Sequence, residues 1–128
     1  MLKAGNILFM IDNKGQVDFI IVGAMKSGTS SLAFHLSNHP DIYMPESEVH
    51  FFNDDEAYEK GYQHYLNQFE YLQNKIVGEK TPTYSYLKKC PERIYDFNAN
   101  VKLIWIFRNP VDRAYSNYWH AVKRGGSI

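Results

Sequence analysis

The chain has 128 residues, 45% of them hydrophobic and 16% aromatic, which is enough for one buried core and too little for two. Fourteen basic and fourteen acidic side chains cancel, so no whole-molecule field draws in nucleic acid or an anionic membrane surface, and any bound anion must be held by local geometry. The early apolar run from Ile7 to Ile11 is far short of the roughly 18 residues that span a bilayer and too short for a leader core, so no membrane segment is expected and a cytoplasmic location is.

In chain order, Asp18 to Val22 is a short β-branched apolar run ending at Gly23 and predicts a fully buried parallel strand. Glycine, serine and threonine follow. A helix is expected from Thr29, with Leu32 and Leu36 on one face, and the His39-Pro40 step ends it because the residue before proline avoids the helical region. Asp41 to Met44 reads as a second short strand, and Pro45 to Asn53 as extended or irregular. Apolar residues at 58, 62, 65, 66, 69 and 72 predict one face of a helix from Tyr58 to Leu72, running through Gly61. Ile76 to Glu79 predicts a strand leading into Lys80-Thr81-Pro82.

Cys90 is the single cysteine, so an internal disulfide and a cysteine-cluster metal site are both excluded and a structural thiol is expected. Pro91 suits the first position of a helix reaching about Phe97. Lys102 to Phe107 is the clearest strand pattern of all. The last helix takes Asn109 as its cap and Pro110 in its first turn, with Val111, Ala114, Tyr115, Tyr118, Trp119 and Val122 as a buried stripe.

Strands alternating with helices predict an α/β fold, a parallel sheet covered on both faces. Ligands of such sheets bind beyond the carboxyl ends of the strands. The loops 23–30, 80–82 and 108–110 each follow a strand, so they are expected to gather at one edge.

The loop from Gly23 through Lys26, Ser27, Gly28, Thr29 and Ser30 has the parts of a phosphate cradle: glycines, a lysine, hydroxyls and a helix N-terminus with free amides. It is not the Walker pattern, which places lysine after the second glycine. An ordinary strand-to-helix turn that contains a lysine is the plainer alternative.

Lys26-Ser27-Gly28-Thr29-Ser30 resembles the loop with which sulfotransferases dependent on 3′-phosphoadenosine 5′-phosphosulfate (PAPS) hold the donor's 5′-phosphate. Arg108-Asn109-Pro110, with Ser116 two turns further on, is similar to that family's 3′-phosphate segment. Glu48-Val49-His50-Phe51-Phe52 resembles the segment supplying the general base in the heparan-sulfate type, and Glu79-Lys80-Thr81-Pro82 resembles its lysine-bearing strand end. The resemblance covers residues 18 to 116. It implies a P-loop-like three-layer fold, with residues 1–16 as an N-terminal extension and 17–128 as the N-terminal part of a sulfotransferase domain. A chain stopping there is expected to present an exposed hydrophobic edge.

The same resemblance assigns roles. Lys26 stabilises the leaving phosphate, while Ser27, Gly28, Thr29 and Ser30 hold the 5′-phosphosulfate. Arg108, whose planar fork suits a phosphate, and Ser116 hold the 3′-phosphate. Lys80 faces the transferring sulfate, Glu48 takes the acceptor's proton, and His50 orients Glu48 or the acceptor. Burial that raises a carboxylate toward neutrality would suit the base, and alternation along an extended segment would put Glu48 and His50 on one side. His50 as the base is the alternative. PAPS is the implied donor, a small molecule or glycan the acceptor, and no metal is called for. The rival functions are a P-loop kinase or ATPase and a non-catalytic nucleotide-binding fragment.

Overall fold

Five consecutive buried residues, Phe19–Gly23, form strand β1 in the interior of a four-stranded parallel sheet. A computed structural model describes residues 16–70, 74–107 and 109–124, the side chains of residues 110, 112, 113 and 116 excepted. After β1 come α1 (Thr29–Ser37), β2 (Ile42–Tyr43), α2 (Asp55–Glu59), α3 (Tyr62–Leu66) and β3 (Ile76–Lys80). A 3-10 turn (Pro82–Tyr86), α4 (Lys89–Phe97), β4 (Lys102–Trp105) and α5 (Pro110–Lys123) complete the order. The strands lie in the sequence β2-β3-β1-β4, and every pairing is parallel.

Side-chain alternation along β1 divides the core into two layers. Ile20 and Val22 join a cluster with Phe51, Phe52, Tyr65, Phe69, Val77, Tyr84, Cys90 and Ile94. Phe19 and Ile21 turn the other way, into a cluster with Met44 against which Leu32, Ala33 and Leu36 of α1 pack. The expected sandwich of helix, sheet and helix is therefore present around β1. Cys90 is fully buried, and burial pushes its thiol up, as suits a packing residue.

Two expectations fail here, each for a local reason. The helix expected from Tyr58 to Leu72 is two helices, because Gly61 adopts φ 93 and ψ 169, an extended left-handed geometry essentially reserved for glycine. The first of the two starts earlier than expected, since Asp54 caps it by accepting from the amides of Glu56 and Ala57 at 3.0 and 3.3 Å. Tyr65 and Phe69 still reach the core; Leu72 lies outside the described residues.

The stripe on α5 is the second. Asn109 caps the helix as expected, accepting from the Val111 amide at 2.8 Å, but Val111 is 74% exposed and Tyr115 66%. Leu103, Trp105 and Phe107, on or just after the edge strand β4, are exposed as well. Periodicity tells which residues share a helix face, not what covers that face. Among the described residues the β4 and α5 side thus presents an exposed apolar face. Smaller shifts are that β4 ends at Trp105 and that α4 begins at Lys89, which leaves Pro91 inside the first turn.

Candidate functional site

The loop leaving β1 turns into α1 through Lys26 at φ 59 and Gly28 at φ 89. A Cβ on Gly28 would meet nothing within 4 Å, so glycine is needed there for its backbone angle and not for room. Gly28 caps α1 without a side-chain hydrogen bond, leaving the first-turn amides as donors at the positive end of the helix dipole. Ser27 is buried, and its Oγ has no hydrogen-bond partner among the described residues. Uncapped amides, an inward hydroxyl and a lysine suit a phosphate-like oxyanion.

Across from this loop, the Glu48 carboxylate is held at both oxygens. His50 Nε2 lies 3.1 Å from Oε1, and Lys80 Nζ lies 3.4 Å from Oε2. Lys80 also donates to Ser30 Oγ at 3.0 Å, which joins the Glu48 segment to the first turn of α1. Asn53 Nδ2 sits 3.1 Å from His50 Nδ1; with that NH2 group as the donor, the ring proton falls on Nε2 and is directed at Glu48. The His50 ring therefore lies within hydrogen-bond reach of both Asn53 and Glu48.

The route to that contact differs from the expected strand alternation. His50 has φ 52, a left-handed residue in an irregular segment that is tied down by Thr81 Oγ1, which accepts from the amides of Val49 and His50 at 3.2 and 3.3 Å. The Glu48 side chain is not buried: it is 37% exposed and opens on a cleft.

That cleft, of about 280 Å³, is lined by Lys26, Gly28, Thr29, Ser30, Glu48 and Pro82 among others. A larger one of about 460 Å³ adjoins it, lined by Ser30, Phe34, Asn38, Glu46, Ser47 and Lys80 among others. Ser30 borders both. The structure thus brings together Lys26, Ser27, Gly28, Thr29, Ser30, Glu48, His50 and Lys80. Arg108 and the side chain of Ser116 lie outside the described residues. No cluster of three or more metal-ligating side chains occurs among the described residues.

Sequence reasoning passed over His120, whose Nδ1 lies 3.0 Å from Lys26 Nζ. The signal was available: His120 is one helical turn beyond Ser116, so the arithmetic that set Ser116 apart from the apolar stripe marks His120 too. The Lys26 charge, and then desolvation, push the His120 ring below its ordinary 6.5. A base that binds its proton less readily when folded loses that arrangement as pH falls through this range and keeps it above. Lys26→Met is expected to bring the His120 titration back up toward 6.5, as followed by ring-proton NMR. An unmoved titration would assign the shift to desolvation and the nearby Arg124 and Lys123 charges instead.

The family profile described as "Sulfotransferase domain" matches residues 16–125. Heparan sulfate glucosamine 3-O-sulfotransferase 5 of Mus musculus is 43% identical over 101 residues, covering 77% of this chain and 29% of its own length. Heparan sulfate glucosamine 3-O-sulfotransferase 3A1 of Homo sapiens is 35% identical over 127 residues, covering 97% of this chain and 31% of its own length. The chain therefore spans less than a third of these curated relatives. The crystal structure of a sulfotransferase from Alicyclobacillus acidocaldarius superposes with a TM-score of 0.75 at 34% identity, over 88% of this chain and 53% of that one.

Proposed function

The chain belongs to the sulfotransferase family, and from that premise we propose that it moves a sulfuryl group from PAPS to a carbohydrate hydroxyl. One observation carries the reading: Lys26, Thr29, Ser30 and Glu48 line a single cleft, with Lys80 bridging Glu48 and Ser30 at its wall. The names of the relatives support an acceptor hydroxyl on a glucosamine unit of heparan sulfate. The adjoining cleft, where Ser37, Asn38, Glu46 and Ser47 stand among apolar residues beside Lys80, supports entry of that acceptor.

In this mechanism the uncapped amides of α1, with Ser27, Thr29 and Ser30, hold the donor's 5′-phosphosulfate. Arg108 and Ser116 hold its 3′-phosphate. Glu48, oriented by His50, accepts the acceptor's proton as the new oxygen–sulfur bond forms. The old sulfur–oxygen bond breaks in line, and its electron pair leaves with adenosine 3′,5′-bisphosphate. Lys26 and Lys80 offset charge on the leaving phosphate and the transferring oxygens, so the chain's work is positioning and electrostatic stabilisation.

Calorimetry with adenosine 3′,5′-bisphosphate against ATP, then transfer of labelled sulfate to heparan-type oligosaccharides, tests the proposal. Preference for ATP would favour the kinase reading; tight bisphosphate binding without transfer would favour a binding protein. Arg108→Ala is expected to weaken bisphosphate by about 1.5–3 kcal/mol, the range for a hydrogen bond to a charged group, and adenosine 5′-phosphate far less. Equal losses would reject the 3′-phosphate contact. No helix among the described residues is long and apolar enough to cross a membrane. A cytoplasmic location is part of the proposal, supported by a lone buried thiol that suits a reducing compartment; recovery inside a membrane-bound compartment on fractionation would overturn it.

A further inference from the structure

Glu79 is completely buried at the end of β3 and has no part in the chemistry described above. Three hydroxyls converge on its carboxylate. Tyr65 OH donates to Oε2 at 2.6 Å, Tyr84 OH to Oε2 at 3.0 Å and Thr81 Oγ1 to Oε1 at 2.6 Å.

Two of these hydroxyls have a second engagement. Thr81 Oγ1 accepts from the amides of Val49 and His50, and Tyr84 OH accepts from the amide of Phe51 at 3.1 Å. An amide N–H can only donate, so each of these oxygens is an acceptor on its loop side. Each has one proton, and it is left to point at Glu79. The carboxylate thereby sets the direction of both hydroxyls, and the hydroxyls hold three successive amides of the segment that carries Glu48 and His50. Burial is the largest influence and holds the Glu79 carboxyl above its ordinary range, while the hydroxyl donors, Thr81 foremost, oppose it.

We infer that Glu79 is a positioning residue for the base segment, holding the left-handed turn at His50, and so the Glu48–His50 contact, through the hydroxyls of Thr81 and Tyr84. The inference rests on Glu48 being the base, but its physical part can be tested without turnover. A left-handed backbone at a residue other than glycine persists only where its surroundings over-determine it. Here the surroundings are the three amide contacts. An amide side chain at position 79 would turn its NH2 toward Thr81, whose oxygen already accepts two N–H donors, or toward the two tyrosine hydroxyls. Either choice sets donor against donor and releases part of the bracket.

The test compares Glu79→Gln, Thr81→Val and Thr81→Ser in the intact chain, reading amide hydrogen exchange at residues 49–51 by NMR, the affinity for adenosine 3′,5′-bisphosphate, and turnover. In Glu79→Gln and Thr81→Val, exchange at 49–51 is expected to quicken by about tenfold, the loss of one ordinary hydrogen bond, while amides of β1 keep their protection. Turnover is expected to fall by about ten- to a hundredfold through misplacement of the base, with bisphosphate affinity within about twofold, whereas Thr81→Ser, which keeps the hydroxyl, behaves as the parent. Unchanged exchange at 49–51 in Glu79→Gln overturns the inference, and if that variant does not fold, Thr81→Val against Thr81→Ser decides it. Faster exchange with undiminished turnover also overturns it, provided Glu48→Gln still stops the reaction. A parent chain that binds bisphosphate but transfers nothing overturns the proposed function instead, and the exchange data still decide whether the bracket exists.

Discussion

Glu48→Gln is expected to lower sulfuryl transfer by about 10²–10⁴-fold, the span usually lost with a general base. Glutamine keeps the shape of the side chain but cannot accept the acceptor's proton. It also meets its two neighbours badly: His50 Nε2 and Lys80 Nζ approach the two carboxylate oxygens from different sides, and both donate. One of them must then face an NH2 group. Donor binding should hold or tighten, because a negative charge has been removed from a cleft that receives an anion. Labelled-sulfate transfer measures the first effect and bisphosphate calorimetry the second. If Glu48→Gln stays near the parent rate and His50→Ala alone loses it, the base is His50.

Gly78→Ala is expected to destabilise the fold by about 3 kcal/mol, toward or beyond the upper end for overpacking a core. Gly78 lies opposite Phe19 in the β1–β3 ladder. The Phe19 ring covers it so closely that an added Cβ would come within 2.1 Å of Cζ. Phe19 is itself packed into the second core cluster, and the Gly78 site lies one residue before Glu79 and two before Lys80. A displaced ring would therefore shift β3 against β1 and disturb the strand end that carries the site. Urea denaturation measures the loss. A variant as stable as the parent would show that the ring has room to swing aside.

The contrast between β1 and β4 shows where sequence reasoning succeeds. Both were expected as strands and both are, since a β-branched apolar run has few other ways to satisfy its backbone. Their burial differs entirely. Every residue of β1 is buried, whereas Leu103 and Trp105 of β4 are 46% and 45% exposed. Strand position within a sheet is not written in the strand's own composition. The Gly61 break is a similar case: the apolar spacing is real, and Tyr65 and Phe69 do face the core, but a glycine free to leave the helical region divides the segment.

For the site, the family resemblance singled out Lys26, Glu48, His50 and Lys80, while the local pattern of glycine, hydroxyls and helix formers placed the first loop at the start of a helix, where α1 begins at Thr29. A phosphate cradle needs a glycine of unusual backbone angle and a helix start within a few residues, and a general base needs a titratable side chain. Tertiary structure alone decided that Lys80 reaches both Glu48 and Ser30, that His120 returns from the last helix to meet Lys26, and that Glu79 gathers three hydroxyls under the base segment. Except for the Thr81 and Tyr84 hydroxyls, which are near Glu79 in the chain, these contacts join residues from different elements, brought together by β3 and β4 packing on either side of β1. Nothing in the spacing of a sequence encodes a distance across a sheet.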